Sequence, residues 1–145
     1  MSWRFEAVYM SLSKSDLISI REFEGGLAHD RFLKNAMRLR VEALKDLTLD
    51  EVKLVAMAIG GRLIDFKIDD ATAWAVAVTP LPGFHIVICL QKYSPEFEDT
   101  IEILFSKKGR DFGITAEDAS DWAVLYVNAM IYAVKKVLKK QVGPF

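Results

Sequence analysis

Apolar residues recur at helical spacing in the first half of the chain. Between residues 28 and 44 they alternate with charged side chains in a pattern that is typical of an amphipathic helix. Thr48 and Glu51 form a capping box, which predicts a helix that begins at Leu49. Gly60-Gly61 follows the last apolar position and predicts the end of that helix, because glycine accepts the left-handed conformation of a helix cap.

The hydrophobic period then changes to two, which is the period of a strand with one face buried. Polar, proline-containing or charged connections separate the segments that follow this rule, and their shortness predicts an antiparallel meander. We predict the third segment to be the central strand. The four predicted strands are residues 62–68, 72–79, 84–91 and 101–106.

The second predicted strand has two contrasting faces. One face carries Trp74, Val76 and Val78, and the other carries alanine at positions 73, 75 and 77. A row of alanines leaves a shallow surface, so we predict that a helix approaches this face closely and that both faces are covered.

The first 25 residues allow more than one interpretation. Apolar residues between positions 3 and 12 favour a short helix, and residues 17–23 fit either a strand or a second helical turn before Gly25-Gly26. We predict a helix followed by a strand, which would be the fifth of the sheet.

The last helix is the most apolar element. Thr115 and Asp118 predict its cap, and it should run to about residue 140. It carries two apolar stripes, so it should be covered on more than one side, either within the chain or by a second subunit in a homodimer. The first stripe is Val124, Val127, Ile131, Val134 and Leu138, and the second is Trp122, Tyr126, Ala129 or Met130, Ala133 and Val137.

Together these elements predict one α+β domain over residues 1–145. An antiparallel sheet of about four strands, with a possible fifth at 17–23, packs against two helices of the N-terminal half and the long C-terminal helix. A chain of this length buries enough surface to fold alone.

Composition and charge exclude several classes of protein for this chain. The 52% hydrophobic content excludes a disordered chain, and the net charge of −1 gives no basic field for nucleic acid. The N-terminus lacks the pattern of a secretory signal, and the apolar stretch 122–134 is shorter than the about 20 residues that cross a membrane. These features predict a cytoplasmic protein without membrane contact, and the scarcity of Asn and Gln favours a heat-adapted source.

Few residues suggest chemistry. Cys89 lies in an apolar strand and should be buried and unreactive, and the single cysteine and two histidines argue against a structural metal site. No phosphate-binding or catalytic motif occurs, and no pattern identifies a cofactor. The acidic cluster Glu96, Glu98, Asp99 and Glu102 fits acid–base chemistry or a hard cation, but it also fits protection of an edge strand against aggregation.

Three functions follow from this pattern. The abundance of apolar and aromatic residues without a catalytic constellation favours a non-enzymatic accessory module that binds a small ligand or a partner protein. One alternative is an enzyme that uses Glu96, Glu98 or Asp99 together with His85 as acid, base or metal ligand. The other is a structural homodimer built on the C-terminal helix.

Several short motifs follow one another over about residues 58–130. They are Ile59-Gly60-Gly61-Arg62, Leu81-Pro82-Gly83, Pro95-Glu96-Phe97, Ile103-Leu104-Phe105 and Ile114-Thr115-Ala116-Glu117-Asp118. Their order and spacing resemble a prokaryotic family of domains of unknown function. The resemblance implies a bacterial or archaeal source and one continuous domain, and it implies no activity.

Overall fold

Five strands form one antiparallel sheet in the computed structural model, which describes residues 12–143. The spatial order β1-β5-β4-β3-β2 makes β4 the central strand and the last four strands a meander, as the short connections predicted. The helix predicted for residues 3–12 lies outside the described residues except for its last position. The strands are β1 (Leu17–Ile18), β2 (Arg62–Ile64), β3 (Thr72–Leu81), β4 (Phe84–Gln91) and β5 (Thr100–Ser106).

The helices confirm the α+β class. The long C-terminal helix contacts both the first and the third helix of the described chain. Within residues 12–143, no helix combines the length and hydropathy that a membrane span needs. The helices are α1 (Gly26–Arg38), α2 (Val41–Leu44), α3 (Leu49–Ala58), α4 (Lys107–Asp111) and α5 (Ala116–Val137), and 3₁₀ turns occupy Lys14–Asp16 and Ile20–Glu22.

Local capping chemistry fixes the beginnings of α3 and α5. The Thr48 hydroxyl accepts the Glu51 N–H at 3.2 Å, and the Glu51 carboxylate accepts the Thr48 N–H at 3.0 Å. The Thr115 hydroxyl accepts the Asp118 N–H at 3.2 Å. Both predicted caps are confirmed, and α3 ends before Gly60, whose φ is +80°.

The single helix predicted over residues 28–44 is wrong, because the chain divides it into α1 and α2. The Arg40 guanidinium donates to the Ala36 carbonyl at 2.7 Å and to Asn128 Oδ1 of α5 at 2.8 Å. The Arg40 side chain therefore bonds to the Ala36 carbonyl, which would accept the Arg40 backbone N–H in a continuous helix. That backbone N–H donates to the Met37 carbonyl instead.

Two strands differ in length from their predictions. β2 ends at Ile64 because the chain then turns, with the Ile68 N–H donating to the Thr72 hydroxyl at 3.0 Å. β3 extends through Pro80 to Leu81. Proline is tolerated there because β2 pairs only with Ala75–Ala77, so no residue of β2 requires a hydrogen bond from position 80. The turn predicted at residues 106–110 is the short helix α4.

The main core lies between the sheet and the helices. Phe84 and Phe105 are fully buried at its centre, where the Phe84 ring lies 6.4 Å from Phe105 and 5.7 Å from Trp122 between ring centroids. Both apolar stripes of α5 pack into this core, with only Val137 and the intervening Leu125 and Tyr132 largely exposed. Apart from Val137, the two stripes are therefore covered within the chain.

A second apolar cluster lies on the opposite face of the sheet. Ala75, Ala77 and Cys89 are fully buried there and share the cluster with Phe66, which confirms that both faces of β3 are covered. Ala73 is exposed, contrary to its predicted place on that face. The helices described between residues 26 and 137 pack on the other side, so none of them makes the close contact predicted for the alanines.

Candidate binding site at the open edge of the sheet

Strand β1 leaves the sheet after only two residues. Leu17 pairs with Ser106 and Ile18 pairs with Phe105. The Ser19 hydroxyl then accepts the Arg21 N–H at 3.3 Å and caps a 3₁₀ turn, so only the first part of the strand predicted at 17–23 is correct. Within the described chain, the rest of β5 consequently has no strand neighbour on this side.

A cleft of about 160 Å³ lies where β1 diverges. Helix α1 forms one wall, the edge of β5 forms the other, and the turn after β1 closes one end. The walls are mainly apolar and the rim carries charges of both signs. The lining residues are Ser19, Ile20, Arg21, Asp30, Leu33, Lys34, Met37, Ile101, Glu102 and Ile103.

The rim charges differ in how well they are compensated. The Lys34 ammonium lies 3.2 Å from the Asp30 carboxylate, one helical turn away. Glu102 is half-buried, and its nearest hydrogen-bond donor is the Thr100 hydroxyl at 3.4 Å. Burial raises the pKa of Glu102, and the Thr100 hydrogen bond and the Lys34 charge oppose that rise only in part. The cleft thus contains one carboxylate that is incompletely solvated and weakly bonded.

Replacing this carboxylate should stabilise the protein. Because folding raises the pKa of Glu102, the folded state binds more protons, and the stability from this group falls as pH rises through its folded pKa. We expect Glu102→Gln to increase the free energy of unfolding at pH 7 by about 0.5 kcal/mol, since solvent screens a half-exposed group. Urea unfolding at pH 7 and about pH 4 measures both values.

The gain should shrink at the lower pH, where wild-type Glu102 is itself protonated. Glu98→Gln is the matched control, because Glu98 is exposed and should leave stability unchanged at both pH values. An equal effect of Glu102→Gln at the two pH values would contradict this explanation.

The four residues proposed for acid–base chemistry do not meet. His85 is the second residue of β4, whereas Glu96, Glu98 and Asp99 lie beyond the other end of that strand. The six residue steps from His85 to Gln91 span roughly 20 Å of extended chain. The structure therefore gives no support to an enzyme that combines His85 with this acidic loop.

His85 has a structural environment of its own. Its Nδ1 lies 2.8 Å from the Thr79 hydroxyl, and its backbone N–H donates to the Ser106 hydroxyl at 2.7 Å. Burial lowers the pKa of His85, and the nearby Lys108 charge lowers it further. The imidazole is consequently neutral at pH 7 and joins the ends of neighbouring strands.

Asp99 organises the loop between β4 and β5. Its carboxylate accepts the backbone N–H groups of Tyr93 at 2.9 Å and Ser94 at 3.0 Å, and it lies 3.5 Å from the Lys92 ammonium. The Ser94 N–H is the largest cause of the lowered pKa of Asp99, and the Tyr93 N–H adds to it. Glu96 and Glu98 are exposed, so the predicted cluster is a loop with one bonded carboxylate.

Removing the Asp99 carboxylate should loosen this loop. We expect Asp99→Ala to lower the free energy of unfolding at pH 7 by about 1–2 kcal/mol, because two backbone donors lose their acceptor. Glu96→Ala in the same loop should change it by less than about 0.5 kcal/mol. Chemical unfolding of the two variants checks both values, and similar losses would show that Asp99 has no special role.

The buried amide of Gln91 is the other polar feature at this end of the sheet. Its Nε2 donates to Asp69 Oδ1 at 3.0 Å and to the Tyr93 hydroxyl at 3.1 Å, while its Oε1 accepts the Thr72 hydroxyl. Every hydrogen-bonding atom of the amide has a partner, so this network holds the turn before β3 to β4. Its only sign in the sequence is a polar residue at the end of an apolar strand.

Other candidate chemistry is structural as well. Cys89 is fully buried, and burial raises the pKa of its thiol to about 12, which confirms the predicted inert cysteine. Among residues 12–143, no group of three or more His, Cys, Asp or Glu side chains is arranged to hold a metal ion.

Comparison with known proteins adds no assignment, since the chain matches no protein-family model, no curated protein and no solved structure. The resemblance to a prokaryotic domain family stays a prediction. The cleft beside β5 is consequently identified by its geometry alone. Its α1 wall, with Asp30 and Lys34, was not among the residues that the sequence singled out.

Proposed function

We propose that this protein is a non-enzymatic accessory module that binds a partner through the cleft between α1 and β5. The observation that carries the proposal is the departure of β1 after Ile18, which leaves an apolar cleft with a charged rim beside a strand edge that residues 12–143 do not pair. Apolar walls supply affinity and a few placed charges supply orientation in protein binding sites.

The size of the cleft favours part of a larger partner over a free cofactor. Its volume of about 160 Å³ is below the roughly 300–1,000 Å³ of pockets that enclose drug-sized ligands. It accommodates one or two side chains, as expected when most of the partner lies outside. The separation of His85 from the acidic loop, which the enzyme alternative required to meet, also favours binding over catalysis.

A fragment screen followed by backbone amide NMR tests this function. We expect small apolar and amphiphilic fragments to shift the amide signals of residues 19–21, 33–37 and 101–103. Lys34→Trp places an indole at the rim of the cleft. It should weaken the binding of the fragments that cause these shifts at least fivefold. Lys53→Trp is the matched control, because Lys53 is an exposed lysine on α3 outside the cleft lining. Shifts centred elsewhere, or equal binding by both variants, would refute the site.

The other predicted functions have less support. The homodimer was inferred from two apolar stripes on α5, and both stripes are now accounted for within the chain apart from Val137. The acid–base alternative required His85 beside the acidic loop, from which it is separated along β4. A cytoplasmic location, a prokaryotic source and heat adaptation stay predictions from the sequence.

A further inference from the structure

We infer that the partner is an extended peptide segment that pairs with the edge of β5 left open by residues 12–143 and places a basic side chain beside Glu102. This inference rests on the proposed function, because it specifies what occupies the same cleft. It also assigns Glu102 a role in selecting the partner.

The backbone of β5 supplies the first argument. β1 occupies the edge only at Phe105 and Ser106, and the described chain leaves Thr100–Leu104 without a strand neighbour on that side. These residues extend over roughly 14 Å, enough for about four residues of an added strand. Unpaired N–H and C=O groups along such an edge are the template for strand addition.

The side chains of β5 alternate in a way that divides recognition between two faces. Ile101 and Ile103 belong to the main core and line the apolar wall beside α1. Glu102 lies between them and pairs in register with Cys89, on the face of the second apolar cluster. A bound strand therefore meets an apolar surface on one face and a carboxylate on the other.

The charges around the cleft decide which side chain fits opposite Glu102. No lysine or arginine of the described chain forms an ion pair with its carboxylate, and the Lys34 ammonium, whose charge lowers the pKa of Glu102, is paired with Asp30. A half-buried carboxylate with one long hydrogen bond gains most from a cationic donor. Lysine or arginine at the neighbouring position of the peptide supplies that donor.

The same carboxylate disfavours a second copy of this chain as the occupant. Two β5 edges pairing antiparallel would bring two Glu102 side chains to the same short interface, and like charges on neighbouring strands are destabilising. The β5 edge thus disfavours pairing with the same edge of a second copy and favours a strand that carries a positive charge.

Selection of a randomised seven-residue peptide library on the full chain, followed by calorimetric titration, tests this inference. We expect selected peptides to alternate apolar and polar residues around one lysine or arginine. Synthetic peptides carrying lysine, glutamine or glutamate at that position are then titrated into wild type, Glu102→Gln and Glu102→Lys. Exchanging lysine for glutamate should weaken wild-type binding roughly tenfold, and Glu102→Lys should reverse the preference.

Backbone methylation separates strand addition from side-chain binding alone. A peptide whose edge-facing amides are N-methylated should lose at least tenfold in affinity, while methylation of the outward amides should have little effect. Glu98→Lys is the charge-matched control and should keep the wild-type preference, because Glu98 lies in the loop before β5 and does not line the cleft.

The outcomes distinguish this inference from the function on which it rests. Two outcomes would overturn the inference and leave the proposed binding module intact. In the first, peptides bind at the cleft with an affinity that does not depend on residue 102. In the second, fragments bind at the cleft but no peptide is selected. Failure of both fragments and peptides at the cleft would overturn both proposals. Reversal of charge preference by Glu102→Lys alone supports the inference.

Discussion

We expect Phe84→Ala to lower the free energy of unfolding by about 3–5 kcal/mol, the largest effect of any substitution considered. The Phe84 side chain is fully buried at the first position of β4 and lies against Phe105 and Trp122. Its removal leaves a cavity between the sheet, α4 and α5 that these elements fill only in part. Urea unfolding monitored by circular dichroism at 222 nm measures the loss.

A second substitution tests the packing at this point. A Cβ added to Gly109 of α4 would lie 2.3 Å from two atoms of the Phe84 ring, so Gly109→Ala should cost about 1–3 kcal/mol in the wild-type background. With the ring removed, the added methyl group has space. We expect Gly109→Ala to be nearly neutral in Phe84→Ala, and an additive double variant would contradict the direct contact.

The second large effect is expected for Gly26→Ala, with a loss of about 3 kcal/mol. A Cβ at Gly26 would lie 2.3 Å from the Ile20 carbonyl oxygen and 2.5 Å from that of Arg21. These are backbone atoms of the turn that closes the cleft, so the whole turn must shift to accept a methyl group. The same variant should therefore weaken fragment binding at the cleft.

Two other glycines provide controls for this prediction. Gly143→Ala meets nothing within 4 Å and should leave unfolding unchanged. Gly60→Ala also meets nothing, but its φ of +80° should cost about 1 kcal/mol through backbone conformation alone. If Gly26→Ala lowers the free energy of unfolding no more than Gly60→Ala does, the turn at Ile20 and Arg21 shifts at little cost and the prediction is wrong.

The features that the sequence predicted well are those decided by neighbouring residues. The Thr48–Glu51 capping box and the Thr115 cap involve groups three positions apart, and the alternation of residues 84–91 determines the faces of a strand that is buried on both sides. These signals need no knowledge of distant contacts. They were sufficient for the α+β class, the antiparallel meander and the central strand.

The errors arise where distant residues or competing hydrogen bonds decide the structure. Arg40 divides a helix by bonding to Asn128, 88 positions away, and no local pattern reports such a contact. Ser19 ends β1 because its hydroxyl takes the Arg21 N–H, although the apolar spacing of residues 17–23 is compatible with a longer strand. That second departure from the prediction is the one that opens the cleft.

The candidate site was predicted only in part for the same reason. Glu102 stood within the acidic cluster, and its position between Ile101 and Ile103 placed it on a strand. Its separation from Glu96, Glu98 and Asp99 depends on where β5 begins, and its proximity to α1 depends on the tertiary fold. The acidic cluster was predicted from residue type alone, and it therefore combined carboxylates that have different roles in the structure.

Amide hydrogen exchange of β5, measured with and without the selected basic peptide, tests whether a partner strand pairs with the edge of β5. Along an edge strand, alternate N–H groups face the open side and exchange faster than those bonded to the neighbouring strand. We expect bound peptide to slow exchange at the outward-facing amides of residues 100–104 at least tenfold, and we expect Lys34→Trp to abolish the effect. Unchanged exchange in β5, with protection appearing instead on the outer face of α5 around Leu125 and Tyr132, would contradict it.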